Sequence, residues 1–445
     1  MRCFFRAKLK KIRHNGVNED KQQQRGESII LLLIIADDFT GALDTGVQFA
    51  AHGIETRVGV GPEVDFAAYQ VKVLVVDIET RHLPAAEAYN VVAKLTRRAK
   101  EAGVRYIYKK TDSALRGNIG AELAAVLDAS GSTQLAFLPA FPQIGRITQG
   151  GVHYVDGVPV TESPFGIDPF APVKHSVVTE LLAEQCDLPS RSFPALKEGE
   201  AVPQDKGILV FDAENATELY STGLQMLGQG KLQIMAGCAG FAAVLPELLG
   251  IEAEKVRQPP QLEPRLLVVC GSVNPITQIQ LDTAEKAGFA RLRLTPSQKL
   301  ECGYWKSKEG EAELAGIEEM LAANPYCIIE TNDLGSNQLT ADYAAQLGIN
   351  LETMRVRIAG GLGHLVEAIF TSPSLGTLLL TGGDTLLQCM TCVGVKELEP
   401  ICELEQGIVL AGFTYNGRTR HVITKSGGFG QETLLTNLAA RMAHQ

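Results

Sequence analysis

Short, uninterrupted apolar segments alternate with amphipathic segments along most of this chain. Apolar runs of strand length occur at 28–36, 71–77 and 134–138, whereas the range 85–102 carries its apolar residues at helical spacing. Runs that are apolar at every position predict strands that are buried on both faces. Alternation of such strands with helices predicts an α/β fold with mostly parallel sheets.

The range 251–264 interrupts this alternation with prolines and mixed charges, which is typical of a linker. Apolar strands resume at 265–270 and recur at 326–330, 377–380 and 422–424, which predicts a second α/β unit. We therefore expect two α/β domains with an active-site cleft between them. The predicted boundaries are a disordered basic extension at 1–27, a first domain at 28–250, a linker at 251–264 and a second domain at 265–445.

Charge and cysteine content restrict the class of protein. The net charge of −10 over 445 residues argues against nucleic acid as the main partner, and no apolar run reaches the length of a membrane span. Cys389 and Cys392 have C-x-x-C spacing, but the second pair that a zinc ribbon needs is absent, so we interpret them as packing residues of a helix. The range 1–27 lacks the apolar segment of a secretory signal, and an odd cysteine count then fits a reducing cytoplasm.

The densest group of polar residues is Lys-Lys-Thr-Asp-Ser-Ala-Leu-Arg-Gly-Asn at 109–118, between a buried strand and a helix. Open α/β sheets bind ligands at the carboxyl ends of their strands. Two lysines and Arg116 gathered there, in an acidic protein, indicate a small anionic ligand. A capped helix start with solvated charges is the alternative, but neither capping nor solubility requires these cations so close together.

Two further strand ends carry complementary groups. Asp38 or Thr40 is expected to cap the following helix, and Asp37 is expected to bind substrate hydroxyls or accept a proton from one. Arg81 follows the strand at 71–77, where it binds a carboxylate in two-point fashion or pairs with Glu79 on the surface. Aspartates that hold hydroxyls and cations that hold an acid together describe a site for a small polyhydroxy acid.

The second domain has a different signature, which is glycine-rich turns at strand ends. They occur at 270–274, 380–385 and 426–430. Small residues at a strand-to-helix turn let backbone N–H groups approach phosphate oxygens. The P-loop motif is absent, and so is the glycine fingerprint of a dinucleotide-binding dehydrogenase after the first strand.

From residue 29 onward the chain resembles the four-carbon acid sugar kinases. The resemblance rests on Ala-Asp-Asp-Phe-Thr-Gly-Ala at 36–42, the group at 109–118, Gly-Ser-Val-Asn-Pro at 271–275, Gly-Gly-Asp-Thr at 382–385 and Lys-Ser-Gly-Gly-Phe-Gly at 425–430. It implies that the N-terminal domain binds a sugar acid and the C-terminal domain binds ATP. It also implies transfer of phosphate from ATP, with Mg²⁺, to the terminal hydroxyl of a tetronate.

The motifs and the resemblance together assign residues to roles. The predicted base is Asp37, with Asp112 as the alternative, and the metal ligands stay open. The predicted substrate-binding residues are Asp37, Arg81, Lys110, Thr111, Asp112, Ser113 and Arg116. The predicted ATP-binding residues are Ser272, Gly382, Gly383, Asp384, Gly427, Gly428, Phe429 and Gly430.

The segment 162–170 resembles the threonate and erythronate kinase branch rather than the branch that acts on 3-oxo-tetronates. We expect D-threonate as substrate, with D-erythronate and then a 3-oxo-tetronate as the alternatives. A non-catalytic sugar-acid-binding protein and a nicotinamide-dependent dehydrogenase are the competing functions. The predicted partners are the sugar acid and ATP, without nucleic acid or membrane, in the cytoplasm, and a homo-oligomer is left open.

Overall fold

The structure is a computed structural model that describes residues 29–168, 171–253 and 258–444. The predicted extension at 1–27 lies outside these ranges, and so do the last two residues of the segment 162–170 and part of the predicted linker. No helix within the described ranges is long and apolar enough to cross a membrane.

Strands and helices alternate along both halves of the chain. The strands are β1 (Leu32–Ala36), β2 (Thr56–Val60), β3 (Val73–Asp77), β4 (Tyr106–Lys110), β5 (Gln134–Leu138), β6 (Arg146–Gln149), β7 (Val152–Val155), β8 (Val158–Pro159), β9 (Ser190–Phe193), β10 (Gly207–Phe211), β11 (Ile234–Gly237), β12 (Leu266–Cys270), β13 (Ala290–Arg293), β14 (Tyr326–Glu330), β15 (Thr377–Thr381), β16 (Glu397–Glu405), β17 (Ile408–Tyr415) and β18 (Arg418–Lys425). The helices are α1 (Phe39–Ala50), α2 (Ala85–Glu101), α3 (Ile119–Ser130), α4 (Val178–Gln185), α5 (Ala216–Gly228), α6 (Ala239–Ala242), α7 (Leu245–Leu249), α8 (Pro275–Lys286), α9 (Pro296–Leu300), α10 (Lys308–Ala323), α11 (Gln338–Gln346), α12 (Leu351–Ile369), α13 (Gly383–Val393) and α14 (Leu434–Ala443).

The first compact unit contains the described residues up to Asp37 together with Gly61–Glu252. Its sheet has the strand order β3-β1-β4-β11-β5-β10-β9, and every pair in it is parallel. The central strands are apolar and buried along their whole length, as expected for strands covered on both faces. Strands β6, β7 and β8 form a small antiparallel sheet, with a turn at Asp156-Gly157 between β7 and β8.

The second compact unit contains Asp38–Val60 and the described residues from Ala253 onward. Strands β13, β14, β12, β15 and β18 are parallel in that order, and β17, β16 and β2 continue the sheet in antiparallel pairs. Its core gathers apolar residues of β12, β15, β17 and β18 beneath α8 and α14. The predicted architecture, α/β with mostly parallel sheets, is confirmed.

The division into units departs from the predicted one at residues 38–60, which we expected in the first domain. Asp38 caps α1 by accepting a hydrogen bond from Gly41 N, as predicted for this position, and the helix then packs on the second unit. Strand β2 pairs with β16, where Val58 lies opposite Leu398. Close packing of Gly46 is the reason that α1 fits there, since a Cβ on Gly46 would lie 3.2 Å from Pro400 Cγ.

Two other parts of the second unit differ from the sequence pattern. The antiparallel strands β16 and β17 were not predicted, because polar and apolar residues are mixed along β16. The glycines at 360–363 do not break α12, which runs through them. They instead allow close helix packing, since a Cβ on Gly363 would lie 2.8 Å from Gln388 O on α13.

Candidate active site

The first unit brings three polar strand ends together. Strand β1 lies between β3 and β4, and Ala36 is in register with both Asp77 and Lys110. The residues that follow each strand therefore meet at one edge of the sheet, since parallel strands end on the same side. Asp37, Arg81 and the segment 110–116 lie at this edge.

A chain of ion pairs connects these residues. Arg81 Nε donates to Asp37 Oδ2 at 2.7 Å, and Arg81 Nη2 lies 3.6 Å from Asp112 Oδ1. Arg116 binds Asp112 in two-point fashion, with both N···O distances 2.9 Å. The remaining nitrogen of Arg116, Nη1, lies 3.2 Å from Asp168 Oδ2. Arg81 is thus paired with Asp37 and Asp112, two protein carboxylates that the sequence did not identify as its partners.

Asp112 shapes the loop in which it lies. Its Oδ2 also accepts hydrogen bonds from the backbone N–H groups of Ala114 and Arg116. These bonds hold the intervening Leu115 at φ 65°, in the left-handed region that a residue with a Cβ rarely adopts. Burial alone would raise the pKa of Asp112, but the charges of Arg116 and Arg81 outweigh burial and lower the pKa far below its usual value. Because both its oxygens are engaged, Asp112 is better placed to order the loop than to accept a proton.

The neighbouring lysines Lys109 and Lys110 have different environments. Lys109 is fully buried and its Nζ lies 2.8 Å from Glu122 Oε2, while Glu122 also accepts a hydrogen bond from Thr80. Lys110 is 4% exposed, and no carboxylate of the described ranges lies within ion-pairing distance of its Nζ. Successive residues of a strand point to opposite faces, which explains the difference. Sequence reasoning missed Glu122, although a carboxylate within the otherwise apolar start of α3 was an available signal.

Two oxygens at this edge are buried without a hydrogen-bond partner, namely Asp37 Oδ1 and Thr111 Oγ1. Burial would raise the pKa of Asp37, but the charges of Arg81, Lys109 and Lys110 outweigh burial and lower it. Asp37 is therefore an ionised acceptor with one occupied and one open oxygen. Such a carboxylate is suited to hold a hydroxyl group.

His153 supports the same loop from the small antiparallel sheet. Its Nε2 donates to the carbonyl of Ser113 at 2.9 Å, and its Nδ1 lies at hydrogen-bonding distance, 3.0 Å, from Thr148 Oγ1. Burial lowers the pKa of His153 to about 4. Ser113 is thus held through its backbone. Residue spacing along the chain contains no signal for this role of His153.

In the second unit the predicted glycine turns converge. Strand β15 lies between β12 and β18, so the turns that follow these parallel strands share one edge. A Cβ on Gly271 would lie 2.1 Å from Thr385 Oγ1, and one on Gly382 would lie 3.3 Å from the same atom. Gly382 also has φ 104°, which favours glycine. The first two turns are therefore in direct contact.

The third turn packs against the first. A Cβ on Gly427 would lie 2.9 Å from Ser272 Oγ and 3.3 Å from Asn274 Cβ. Gln280 Nε2 donates to the carbonyls of Phe429 and Gly430, each at 3.0 Å, and so fixes the end of this turn to α8. The ring of Phe429 packs against Gly407 and the core of the unit.

Helix α13 begins at the second turn and has no side-chain cap, so its first N–H groups are available to an anion. A Cβ on Gly383 would lie 3.6 Å from both Asp38 Oδ2 and Thr40 Oγ1. Asp38 thus lies at the glycine turns of the second unit. Asp384 forms an ion pair with Arg355 of α12.

Comparison with known proteins gives the two halves of the chain separate descriptions. The family model of a sugar-binding N-terminal domain matches residues 32–245, and that of a nucleotide-binding C-terminal domain matches residues 267–435.

Curated relatives extend over nearly the whole chain. A D-threonate kinase of Salmonella typhimurium is 30% identical, and the match covers 91% of this chain and 96% of the relative. A D-threonate kinase of Bordetella bronchiseptica is 29% identical with the same coverage. A D-erythronate kinase of Heliobacterium modesticaldum is 27% identical and covers 90% of this chain and 94% of the relative.

Two crystal structures share the fold. One, of a Salmonella typhimurium LT2 protein, has a TM-score of 0.74 at 21% identity and covers 92% of this chain and 98% of its own. The other, of a Haemophilus influenzae protein, has a TM-score of 0.65 at 19% identity and covers 92% and 100%. With both domain families matched in order and a relative 30% identical along its length, the chain belongs to the four-carbon acid sugar kinase family.

Proposed function

We propose that this protein transfers the γ-phosphate of ATP to the terminal 4-hydroxyl of D-threonate. The relatives named D-threonate kinase support the choice of acid, and the family supports the reaction. D-erythronate differs from D-threonate at one stereocentre and is the second candidate, supported by the relative named D-erythronate kinase.

The observation that carries the proposal is the distribution of charge at the first sheet edge. Lys109, Arg81 and Arg116 are each paired with a protein carboxylate, and Lys110 is the buried cation that is not. A substrate carboxylate binds where an ammonium group lacks a counter-charge, because pairing offsets the cost of burying both charges. We assign the substrate carboxylate to Lys110.

The hydroxyl groups of the acid then bind the open oxygens. Asp37 Oδ1 accepts a hydrogen bond from one hydroxyl, and Thr111 Oγ1 donates to or accepts from another. The ion pair with Arg81 holds Asp37 in its ionised form and fixes its orientation. We assign to Asp37 the orientation of the attacking 4-hydroxyl and the acceptance of its proton, because phosphoryl transfer depends on positioning more than on a strong base.

The nucleotide binds the glycine turns of the second unit. Ser272, the 382–384 turn and the 427–430 turn supply backbone N–H groups and a hydroxyl for the phosphate oxygens. Asp38 beside Gly383, and Asp44, which accepts a hydrogen bond from Ser426 at 3.0 Å, offer the oxygen ligands that Mg²⁺ prefers. Mg²⁺ held by these residues would supply positive charge to the phosphates.

Other features of the proposal stay predictions. They are the cytoplasmic location, a homo-oligomeric state and the closure of a cleft on both ligands. Among the competing functions, a non-catalytic acid-binding protein has no use for converging phosphate turns in the second unit. A dehydrogenase would need the glycine fingerprint that is absent after β1.

The direct test is ATP consumption screened against D-threonate, D-erythronate, their L-isomers and 3-oxo-tetronates, with the phosphorylated position assigned by ³¹P NMR. We expect D-threonate 4-phosphate as the preferred product. An Asp37→Asn variant serves as a folded control with strongly reduced turnover. ADP formation that is independent of every acid, or a preference for a 3-oxo-tetronate, would refute the proposal.

A further inference from the structure

Lys425, at the end of β18, is a buried cation that directly contacts the third glycine turn. It is 1% exposed, and its Nζ donates to the carbonyls of Ser426 at 3.2 Å and Gly427 at 3.0 Å. Its third contact is Thr277 Oγ1 on α8, at 2.9 Å. Thr277 Oγ1 in turn donates to the Gly427 carbonyl at 2.7 Å. Every proton of the ammonium group is therefore used within the protein.

These contacts fix the direction of the peptide groups. The described peptides are trans, so the N–H of a peptide points away from its carbonyl. Because the carbonyls of Ser426 and Gly427 both point at Lys425 Nζ, the N–H groups of Gly427 and Gly428 point away from it. Neither N–H group has an acceptor among the residues that the structure describes. Two successive N–H groups that point outward in this way form an anion-binding surface.

The charge of Lys425 lacks a counter-charge in the protein. No carboxylate in the described part of the chain forms an ion pair with it, whereas Lys299, the other fully buried lysine of this unit, is paired with Asp333. A buried ammonium without a carboxylate partner is costly unless a bound anion offsets the charge. Lys425 lies directly behind the outward N–H groups, so its positive charge attracts an anion that binds to them.

We propose that Lys425 is a positioning residue that builds the phosphate-binding surface of the third turn. It turns the Gly427 and Gly428 N–H groups outward. Its charge attracts the nucleotide phosphates across these two peptide groups, without direct contact. The inference rests on the proposed function, since it takes the ligand of this turn to be a polyphosphate. It also explains why the turn follows a lysine at the end of a buried strand.

The test compares Lys425→Met with Lys299→Met in the full chain. Both remove a buried lysine of the second unit, but Lys299 Nζ contacts Thr331 and Asp333 instead of the third glycine turn. Binding of ATP, tripolyphosphate and adenosine is measured by calorimetry without the acid, and circular dichroism checks folding. Lys425→Met removes both the attractive charge and the contacts that orient two N–H groups, so it should weaken binding of ATP and tripolyphosphate at least about tenfold. It should leave adenosine binding and the KM for the acid unchanged. Lys299→Met should bind tripolyphosphate like the wild type.

Lys425→Arg, which keeps the charge, should recover part of the lost affinity. If Lys425→Met does not fold, Thr277→Val gives the second measurement, with a smaller loss of tripolyphosphate binding expected. Unchanged tripolyphosphate binding in the folded Lys425→Met variant, or in Thr277→Val, would overturn the inference while leaving the kinase proposal intact. A wild type that binds tripolyphosphate through Lys425 but phosphorylates no tetronate would refute the kinase proposal alone.

Discussion

Replacement of Lys110 by methionine tests how the acid is held. Methionine has a similar length and no charge, so it fills the buried position and removes only the ammonium group. No described carboxylate forms an ion pair with Lys110, and the nearby Asp37 and Asp112 keep Arg81 as a cationic partner when Lys110 is lost. The variant should therefore fold, which sets it apart from variants of Lys109.

The size of the effect follows from the type of contact. A hydrogen bond to a charged group contributes roughly 1.5–3 kcal/mol, which corresponds to a loss of about 10- to 150-fold in affinity for the acid. Lys110 also helps to hold the pKa of Asp37 and Asp112 low, but Arg81 contributes to both and remains. The KM for D-threonate should accordingly rise by that factor, while the KM for ATP stays unchanged.

The assay is steady-state kinetics with each substrate varied in turn, together with calorimetric titration of D-threonate. Lys94→Met is the matched control, since Lys94 lies on the surface of the same unit. An erythritol or threitol probe, which lacks the carboxylate, should bind wild type and Lys110→Met equally. Should Lys110→Met keep the wild-type KM for D-threonate, the assignment of the carboxylate to Lys110 is wrong.

Three further changes test other contacts. Glu122→Gln leaves Lys109 buried without its counter-charge. Urea titrations should show that the free energy of unfolding of the first unit falls by about 3–5 kcal/mol, and a fall under about 1 kcal/mol would contradict this role of Glu122. His153 has a folded pKa of about 4 against 6.5 unfolded, so its protonation favours the unfolded chain. The free energy of unfolding should therefore be unaffected by this group above pH 6.5 and should fall by roughly 3 kcal/mol as the pH drops from 6.5 to 4. His153→Gln should lack this fall when urea titrations of the variant and the wild type are compared over the same pH range. Gly427→Ala places a Cβ 2.9 Å from Ser272 Oγ and should raise the KM for ATP without changing the KM for the acid. An unchanged KM for ATP would argue against a nucleotide at this turn.

Much of the site was predictable because it depends on strand ends. Continuous apolar runs locate buried parallel strands, and their carboxyl ends must share an edge. This was enough to bring Asp37, Arg81 and Lys110 together, and to bring the glycine turns of the second unit together. The local pattern of apolar runs suffices for such an inference.

The rest depends on contacts that no local pattern contains. The sequence places Lys109 and Lys110 side by side, and only the partner across the sheet, Glu122, shows which lysine is neutralised. His153 acts through a backbone carbonyl of a distant loop, which leaves no trace in residue spacing. An amphipathic helix such as α1 has the same pattern whichever core it covers, so its membership of the second unit could not be predicted.

The membership of α1 and β2 in the second unit has a consequence for biosynthesis. Val58 of β2 lies opposite Leu398 of β16, so the ribosome must add about 340 residues before this pair can form. At a synthesis rate of roughly 5–20 residues per second, that takes on the order of 17–70 s. During this interval the apolar side chains of Phe39, Leu43 and Val47 lack the surface that finally buries them, which makes the nascent chain a client for a holding chaperone. For the same reason a fragment that starts at residue 253 leaves β16 as a bare edge, and it should aggregate unless residues 38–60 are supplied in trans.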